Sequence, residues 1–212
     1  MSPVILGVIE AGLWLIGRLD REIRPGKREY LVILAASAAG DILNGMVLGQ
    51  GEFSARLSLS LFMGCLLLAC ITDVAICQVY NFVWWISGIA AAVLLAGGGW
   101  GSSSVWEVLL FCLIQMVLFS HMYGKADCYA FCVCAAAEAG LGLGFSGFLC
   151  HMLVSFLLLT AVQAVRRNIG SGGCLKKPVP FLPYITAAFY LMLIFRQIIC
   201  VRTNCCLFYE NM

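Results

Sequence analysis

Eight long apolar segments constrain what this 212-residue chain can fold into. They cover residues 3–17, 30–49, 57–76, 81–97, 105–122, 127–145, 147–165 and 181–201. Most approach the roughly 20 residues that an α-helix needs to cross the hydrocarbon core of a bilayer. The composition agrees, because 62% of the residues are hydrophobic and only 11% are charged, against about 25% charged in an ordinary soluble domain. The sequence therefore predicts an all-α polytopic membrane bundle of about eight transmembrane helices.

Lys and Arg are distributed unevenly among the breaks between these segments. If the N-terminus lies outside the membrane, the inside loops hold ten of the thirteen basic residues: Arg18, Arg21, Arg24, Lys27, Arg28, Lys125, Arg166, Arg167, Lys176 and Lys177. The outside ends hold the other three, Arg56, Arg196 and Arg202. Because cytoplasmic loops of membrane proteins are enriched in Lys and Arg, this asymmetry predicts that both termini lie outside and that the basic breaks face the cytosol.

The shortness of the first basic break bears on domain organisation. Only residues 18–29 separate the first two apolar segments, and a dozen residues are too few to form a folded domain. We therefore expect two parts in the chain. Residues 1–56 would form two N-terminal transmembrane helices with a short basic cytosolic loop, and residues 57–212 would form a six-helix core.

Twelve cysteines are spread along the chain, and no two of them form a C-x-x-C pair. Most lie inside apolar segments, where a thiol behaves as a small hydrophobic group, among them Cys65, Cys70, Cys112, Cys132, Cys134, Cys150 and Cys200. No cluster of side chains has the spacing of metal ligands. We therefore expect most cysteines to be packing residues, and we expect neither a metal site nor a cofactor.

Two aspartates at the edges of apolar segments are the strongest candidates for chemistry. Asp73 lies near the end of one segment, and Asp127 follows the turn Gly124-Lys125-Ala126. A carboxylate beside hydrocarbon is costly and is by default a functional-site hypothesis. Two carboxylates held close together do not both ionise readily, so they share a proton, and one can act as a general base while the other acts as a general acid.

Each aspartate taken alone has a simpler structural explanation. Asp73 would cap a loop, and Asp127 would lie at a helix N-terminus, where the dipole favours a carboxylate. The occurrence of both acids, each with its flanking residues, favours the catalytic interpretation. The small residues Gly124 and Ala126 would also let a substrate backbone pass near the acid.

The first of these stretches resembles a motif of the type IV prepilin peptidases, which are membrane aspartyl proteases of the GxGD type. The family motif reads Asp, then a short polar run, then Pro-Asn. In this chain Asp73 and Asn81 have the matching spacing, and Tyr80 stands where the proline usually lies.

The second stretch is similar to the family's Gly-x-Gly-Asp or Gly-x-Ala-Asp motif. Gly124, Ala126 and Asp127 match it. In the family a lysine often follows two residues later, but Tyr129 occupies that position here and leaves Lys125 as the nearby base.

A third stretch, residues 176–183 (KKPVPFLP), resembles the basic Pro-Phe-x-Pro entry to the family's last helix. Lys177, Pro180 and Phe181 would then join Asn81 and the Gly124 turn as substrate-binding or supporting residues. The three motifs occur in the family's order, and the resemblance covers residues of about 28 to 200.

The resemblance implies a function, a substrate and a location. The substrate would be the leader of a type IV prepilin-like or pseudopilin precursor, cut after a glycine on the cytoplasmic side of a bacterial or archaeal cytoplasmic membrane. The expected partners are this precursor and membrane lipid, with no nucleic acid. Many family members carry a zinc-binding cytosolic domain linked to N-methylation between the first two helices. Because residues 18–29 contain no cysteine, we expect cleavage without methylation.

Other function classes stay open. Asp41 and Glu138 lie near the middle of apolar segments, and together with Asp73 and Asp127 they suit a relay in a proton- or ion-coupled transporter. The sequence shows no inverted repeat, which argues against a transporter. A non-catalytic pilus assembly protein is the third option. A polar contact between Asp41 and Glu138 is a further hypothesis, and His151 is expected to lie at a helix interface.

Overall fold

The computed structural model of this chain describes residues 4–19, 25–48, 53–98, 102–168 and 179–209. Within these ranges the regular structure is all helical. The α-helices are α1 (Val4–Leu19), α2 (Lys27–Leu48), α3 (Phe53–Ile76), α4 (Asn81–Gly97), α5 (Ser102–Val117), α6 (Lys125–Gly140), α7 (Phe145–Asn168) and α8 (Leu182–Tyr209). A single 3-10 turn, Phe119–His121, precedes α6. The predicted all-α class is confirmed for the described residues.

Three helices in the described part of the chain are long and apolar enough to cross a membrane: α2, α3 and residues 145–165 of α7. Three further apolar helices are shorter, at residues 81–97, 105–121 and 182–198. α1 and α6 have 16 residues each, which gives about 24 Å at about 1.5 Å per residue, short of the hydrocarbon thickness of about 30 Å. Helix length and composition therefore support fewer spans than the predicted eight.

Consecutive helices run in alternating directions, so the connections fall at two ends of the bundle. At one end of the bundle α3 stops and α8 starts. There the backbone N–H of Leu182 donates to Oδ2 of Asp73 at 3.3 Å. At the other end Nε2 of Gln197 in α8 donates to the carbonyl oxygen of Met46 near the end of α2, at 2.7 Å. The end where α3 stops and α4, α6 and α8 start is called the site end below.

α3 lies at the centre of the bundle and packs against α1, α2, α4 and α8. Its buried side chains include Phe62, whose ring lies 5.2 Å from that of Phe189 in α8. Gly64 allows α1 to approach, because a Cβ there would lie 2.9 Å from Val8. Since α1 and α2 both pack on α3, the N-terminal helices contact the rest of the bundle directly. The predicted division at residue 56 lies within the first turn of α3 and stays a prediction.

α4 and α6 approach most closely where both helices end. A Cβ on Gly140 would lie 2.4 Å from the backbone carbonyl carbon of Leu94, and a Cβ on Gly98 would lie 2.1 Å from the carbonyl oxygen of Gly140. The atoms that an added Cβ would meet belong to the backbone, so they cannot rotate out of the way as a side chain can. Small residues at helix crossings allow such an approach, and in lipid this packing replaces the hydrophobic effect as the driving force.

We expect Gly140→Ala to destabilise the bundle, because the added methyl group overlaps the α4 backbone. Overpacking of this kind typically costs about 1–3 kcal/mol. Gly88→Ala is the matched control, since a Cβ on Gly88 meets no atom within 4 Å and alanine is the better helix former. Unfolding of the detergent-purified variants, followed by circular dichroism, measures the difference. Equal stability of the two variants would contradict the close approach of α4 and α6.

Candidate active site

Asp73 lies in the last turn of α3, and its carboxylate reaches the start of α8. It is half-buried, and its Oδ2 accepts the hydrogen bond from the N–H of Leu182, the first residue of α8. The first N–H groups of a helix have no partner within the helix, and the dipole there favours a negative charge. The carboxylate therefore links α3 to α8.

Asp127 is the third residue of α6, in the helix's first turn. Its backbone N–H donates to the carbonyl oxygen of Gly124 at 3.0 Å. Gly124 is the N-cap residue of α6, and a Cβ there would lie 3.4 Å from Oδ2 of Asp127. Any larger side chain at position 124 would therefore crowd the carboxylate.

The two aspartates lie at the same end of the bundle and influence each other electrostatically. Burial and the negative charge of Asp73 raise the pKa of Asp127 to about 6. Asp127 lies at a helix end, outside the three candidate membrane spans. The interaction between two charges weakens with distance, so the two carboxyl groups lie close enough for the charge of Asp73 to act on Asp127. A carboxyl group that titrates near neutral pH is suited to general acid or base catalysis.

Three of the other predicted site residues, Lys125, Ala126 and Asn81, lie at the site end of the bundle. Lys125 and Ala126 adjoin Asp127 because they belong to the same helical turn, with Lys125 exposed and Ala126 half-buried. Asn81 is the exposed first residue of α4, at the same end of the bundle. Lys177 lies outside the described residues.

Phe181 is buried, and Pro180 before it is half-buried. The ring of Phe181 lies 5.1 Å from that of Phe156 in α7, 6.0 Å from that of Phe131 in α6 and 6.1 Å from that of Tyr123. Aromatic rings at these separations attract each other beyond the effect of area burial. We call these four residues the aromatic cluster. It fixes the start of α8 against α6 and α7, next to the bond between Leu182 and Asp73.

Tyr123 connects the aromatic cluster to the turn before Asp127. Its hydroxyl donates to Oε1 of Gln115, a fully buried residue of α5. Burial raises the pKa of the Tyr123 hydroxyl well above its ordinary value, with the nearby charge of Asp127 adding to the effect. The sequence motifs did not single out Tyr123, Phe131 or Phe156. The sequence feature that could have pointed to Tyr123 is its position directly before Gly124 of the motif.

Two tyrosines stand where the family motifs have other residues. Tyr80 precedes α4 with φ −74° and ψ 137°, backbone angles that a proline also adopts. The tyrosine therefore preserves the local backbone that proline would impose. The ring of Tyr129 packs beside that of Trp84 in α4, with centroids 6.3 Å apart. Tyr129 therefore contributes to the contact between α4 and α6.

The end of α3 has an unusual backbone. Cys77 has φ 53°, in the left-handed region that non-glycine residues adopt at a cost of about 1–3 kcal/mol. Its N–H donates to the carbonyl oxygen of Asp73 at 2.9 Å. This bond closes the last turn of α3 around Asp73 and directs the chain toward α4.

Glu138 pairs with His151, and the hypothesis of a contact with Asp41 is wrong. Oε1 of Glu138 lies 2.6 Å from Nδ1 of His151, and both side chains are almost fully buried. Asp41 instead lines a cavity with Arg56. The expectation that His151 lies at a helix interface is confirmed, because the pair joins α6 to α7.

The same histidine also holds α8. Its Nε2 lies 2.9 Å from the carbonyl oxygen of Ile185. A carbonyl oxygen only accepts hydrogen bonds, so Nε2 donates to it, while Nδ1 faces the Glu138 carboxyl group. The pair therefore ties α6, α7 and the first turn of α8 together beneath the two aspartates.

No group of three or more His, Cys, Asp and Glu side chains among the described residues is placed to hold a metal ion. The eight cysteines whose side chains are described are free thiols. No family model, curated protein or solved structure matches this chain.

We expect single substitutions in the pair of Glu138 and His151 to be strongly destabilising. Glu138→Leu or His151→Leu leaves one buried polar partner alone, which typically costs about 3–5 kcal/mol. The double Leu variant removes both and should lose clearly less than the sum of the two single losses. Denaturant unfolding in detergent measures these free energies.

Glu10→Gln, a charge-removing change at an exposed position of α1, is the control and should shift stability by less than about 0.5 kcal/mol. Additive losses in the double Leu variant would show that Glu138 and His151 do not interact.

Proposed function

We propose that this chain is an integral membrane aspartyl endopeptidase of the prepilin peptidase type. The observation that carries the proposal is the placement of Asp73 and Asp127 at one end of the bundle, where burial and the charge of Asp73 raise the pKa of Asp127. An aspartyl protease requires one carboxyl group that is protonated and a neighbour that is charged. A pKa of about 6 for Asp127 is compatible with that state near neutral pH.

The surroundings of the two acids suggest a division of roles. We assign the shared proton to Asp127, because burial and the negative charge of Asp73 raise its pKa to about 6. Asp73, which accepts a hydrogen bond from the Leu182 amide, holds the charge. Asp73 then takes a proton from a water molecule whose oxygen attacks the scissile carbonyl, while Asp127 donates its proton to the carbonyl oxygen.

The resulting gem-diol collapses by the reverse exchange. Asp127 takes a proton from one hydroxyl, the carbon–nitrogen bond breaks, and Asp73 gives its proton to the leaving nitrogen. Both acids return to their starting protonation states, so the cycle needs no cofactor and no metal.

The proposed substrate is the leader of a type IV prepilin-like or pseudopilin precursor, which places the chain in pilus assembly or protein secretion. Exposed apolar side chains near the acids support a substrate with an apolar helix. Val74 directly follows Asp73 and is 55% exposed, and Met122, two residues before Gly124, is 75% exposed. Such side chains suit contact with an apolar helix or with lipid. Gly124 leaves room for a substrate backbone beside Asp127.

We further propose that all eight helices are embedded in a bacterial or archaeal cytoplasmic membrane, with the site end toward the cytosol. The concentration of basic residues at that end supports this orientation. Arg18 at the end of α1 lies with its guanidinium 4.3 Å from the ring centre of Trp14. Trp and Arg are typical anchors at a membrane interface. Helices shorter than the bilayer are accommodated by local thinning.

A proton-coupled transporter is the second candidate, and one observation favours it. Glu138 and His151 form a buried ionisable pair inside the bundle, and pairs of this kind occur in proton relays. The two functions differ in what the purified protein does alone. A peptidase cleaves a precursor in detergent without a proton gradient, whereas a transporter acts only across a sealed membrane.

We expect Asp73→Asn and Asp127→Asn each to lower precursor cleavage by at least about 100-fold, the lower end of the contribution of general acid–base catalysis. Both changes keep the shape of the side chain but remove an acid. The measurement is a mobility shift of leader length, followed over time with detergent-purified protein and a candidate prepilin. Glu10→Gln, far from the acids in α1, should cleave at the rate of the unmodified chain. A single Asn variant that retained near-normal cleavage would exclude the two-aspartate mechanism.

We expect the chain to cleave its precursor without methylating the product. Methyl transfer requires a concave site for a bulky polar donor, usually at least about 300 Å³, and residues 18–29 are too few to enclose one. Mass spectrometry of the mature product, made with S-adenosylmethionine present, should show an unmodified N-terminal amine. An added methyl group that depends on the enzyme would contradict this expectation. A bifunctional family member serves as the positive control.

A further inference from the structure

Gln115 of α5 is an amide side chain in the apolar interior of the bundle. It is fully buried, although its neighbours in the helix include the exposed apolar residues Leu113, Met116 and Val117. Burying an amide is costly unless its polar atoms are hydrogen-bonded, whereas a leucine of similar size has no polar atoms to satisfy. The mechanism proposed above assigns Gln115 no role.

The contacts of Gln115 lie on both sides of the turn that presents Asp127. Its Oε1 accepts a hydrogen bond from the hydroxyl of Tyr123, which precedes the turn. Its backbone carbonyl oxygen accepts one from Sγ of Cys128, which follows Asp127, at 3.5 Å. Its Nε2 donates to Sδ of Met152 in α7 at 3.2 Å. One residue of α5 therefore holds the chain before and after Asp127 and is itself held by α7.

The backbone hydrogen bonds at the start of α6 join residues of the turn to one another. The N–H groups of Asp127 and Cys128 both donate to the carbonyl oxygen of Gly124. Gly124 is the N-cap residue, and it has no side chain that could cap the helix. The contacts with Gln115, by contrast, attach the turn to another helix.

The ring of Tyr123 and its hydroxyl are held by different partners. The ring lies 5.6 Å from that of Phe119 and 5.9 Å from those of Phe131 and Phe156. These apolar contacts are non-directional, whereas the hydrogen bond to Gln115 constrains the angle at which the hydroxyl lies. A phenylalanine at position 123 would keep the ring contacts and lose only the bond to Gln115.

We propose that Gln115 is a positioning residue, which holds the Asp127 carboxyl group in place through its contacts on both sides of the turn. The charge of Asp73 acts on Asp127, and such an interaction weakens with distance, so a shift of the turn changes it. The consequence for cleavage rests on the proposed function, in which both acids act on one peptide bond. A misplacement of about 1 Å can then lower the rate about 100-fold.

Titration of ¹³Cγ-labelled Asp127 in the detergent-purified full chain tests the positioning without a substrate. Gln115→Leu neither adds nor removes a charge, so a changed pKa of Asp127 reports where its carboxyl group lies. Burial and the charge of Asp73 raise this pKa to about 6, so a relaxed turn should lower it. Tyr123→Phe should lower it as well, and it carries the test if Gln115→Leu does not fold. The double variant should lower it no further than Gln115→Leu alone, because the two residues share one hydrogen bond.

Asn44→Leu is the matched control. Asn44 is also a buried amide that ties two helices, since its Nδ2 donates to Oγ of Ser60 in α3 at 2.6 Å, but it lies at the end of the bundle opposite the aspartates. Its loss should lower stability and leave the pKa of Asp127 unchanged. The proposal is overturned if Gln115→Leu and Tyr123→Phe leave this pKa unchanged. It is equally overturned if Asn44→Leu lowers the pKa as much, because the cause is then a general loosening of the bundle.

Cleavage of a candidate prepilin separates the positioning role from the proposed function. Gln115→Leu and Tyr123→Phe should each lower kcat by about tenfold or more and leave KM within about twofold, because the fully buried Gln115 cannot touch a substrate. Asn44→Leu should keep the kcat of the unmodified chain. If the unmodified chain cleaves no precursor, the proposed function is wrong and the titration of Asp127 still decides the positioning. If it cleaves and both variants keep its kcat, Gln115 does not position Asp127 for catalysis.

Discussion

The hydrogen bond between the Leu182 amide and the Asp73 carboxylate joins the end of the central helix α3 to the start of α8. The aromatic cluster packs the same start of α8 onto α6 and α7, directly beside the turn that presents Asp127. The Asp73 carboxylate therefore caps a helix, and its charge also acts on a second acid, Asp127. The structural and the catalytic interpretations of Asp73 are compatible, because a capped carboxylate is held in a fixed position and keeps a lone pair for other partners.

A second constraint applies to polar groups inside the bundle, because each needs a hydrogen-bond partner within the protein. Glu138 and His151 satisfy one another and the Ile185 carbonyl oxygen. Asn44 of α2 donates to the carbonyl oxygen of Arg56 and to Oγ of Ser60, both in α3. Both arrangements tie neighbouring helices together.

The helices were largely predictable from the sequence, because apolar segments separated by Gly, Pro and charged residues mark both their number and their order. Their lengths were less predictable. The segment 127–145 was expected to be continuous, but α6 ends at Gly140 and Gly142 adopts φ 84° in the following turn. Gly142 and Gly144 lie in the connection to α7, whereas Gly140 packs against the backbone of α4.

The candidate acids were also predictable, because the motifs around Asp73 and Asp127 are local in sequence. Their partners were not. His151 is 13 residues from Glu138 and on a different helix, a separation that no helical periodicity relates. Phe156 and Phe181 likewise meet only through the packing of α7 on α8. Sequence motifs identify which residues carry chemistry, while contacts between helices depend on the fold.

We propose that Asp73 and Asp127 form one coupled site, and a titration of the carboxyl groups tests this coupling without any substrate. The chain has four aspartates, so selective ¹³Cγ labelling gives four resonances, and Asp127→Asn assigns its own. We expect Asp127 to titrate near pH 6 and Asp73→Asn to lower its pKa toward the ordinary value, because a nearby negative charge is removed. Asp41→Asn, at the other end of the bundle, should leave the titration of Asp127 unchanged. If Asp127 titrates identically with and without the Asp73 carboxylate, the two acids are not neighbours and the proposed site does not exist.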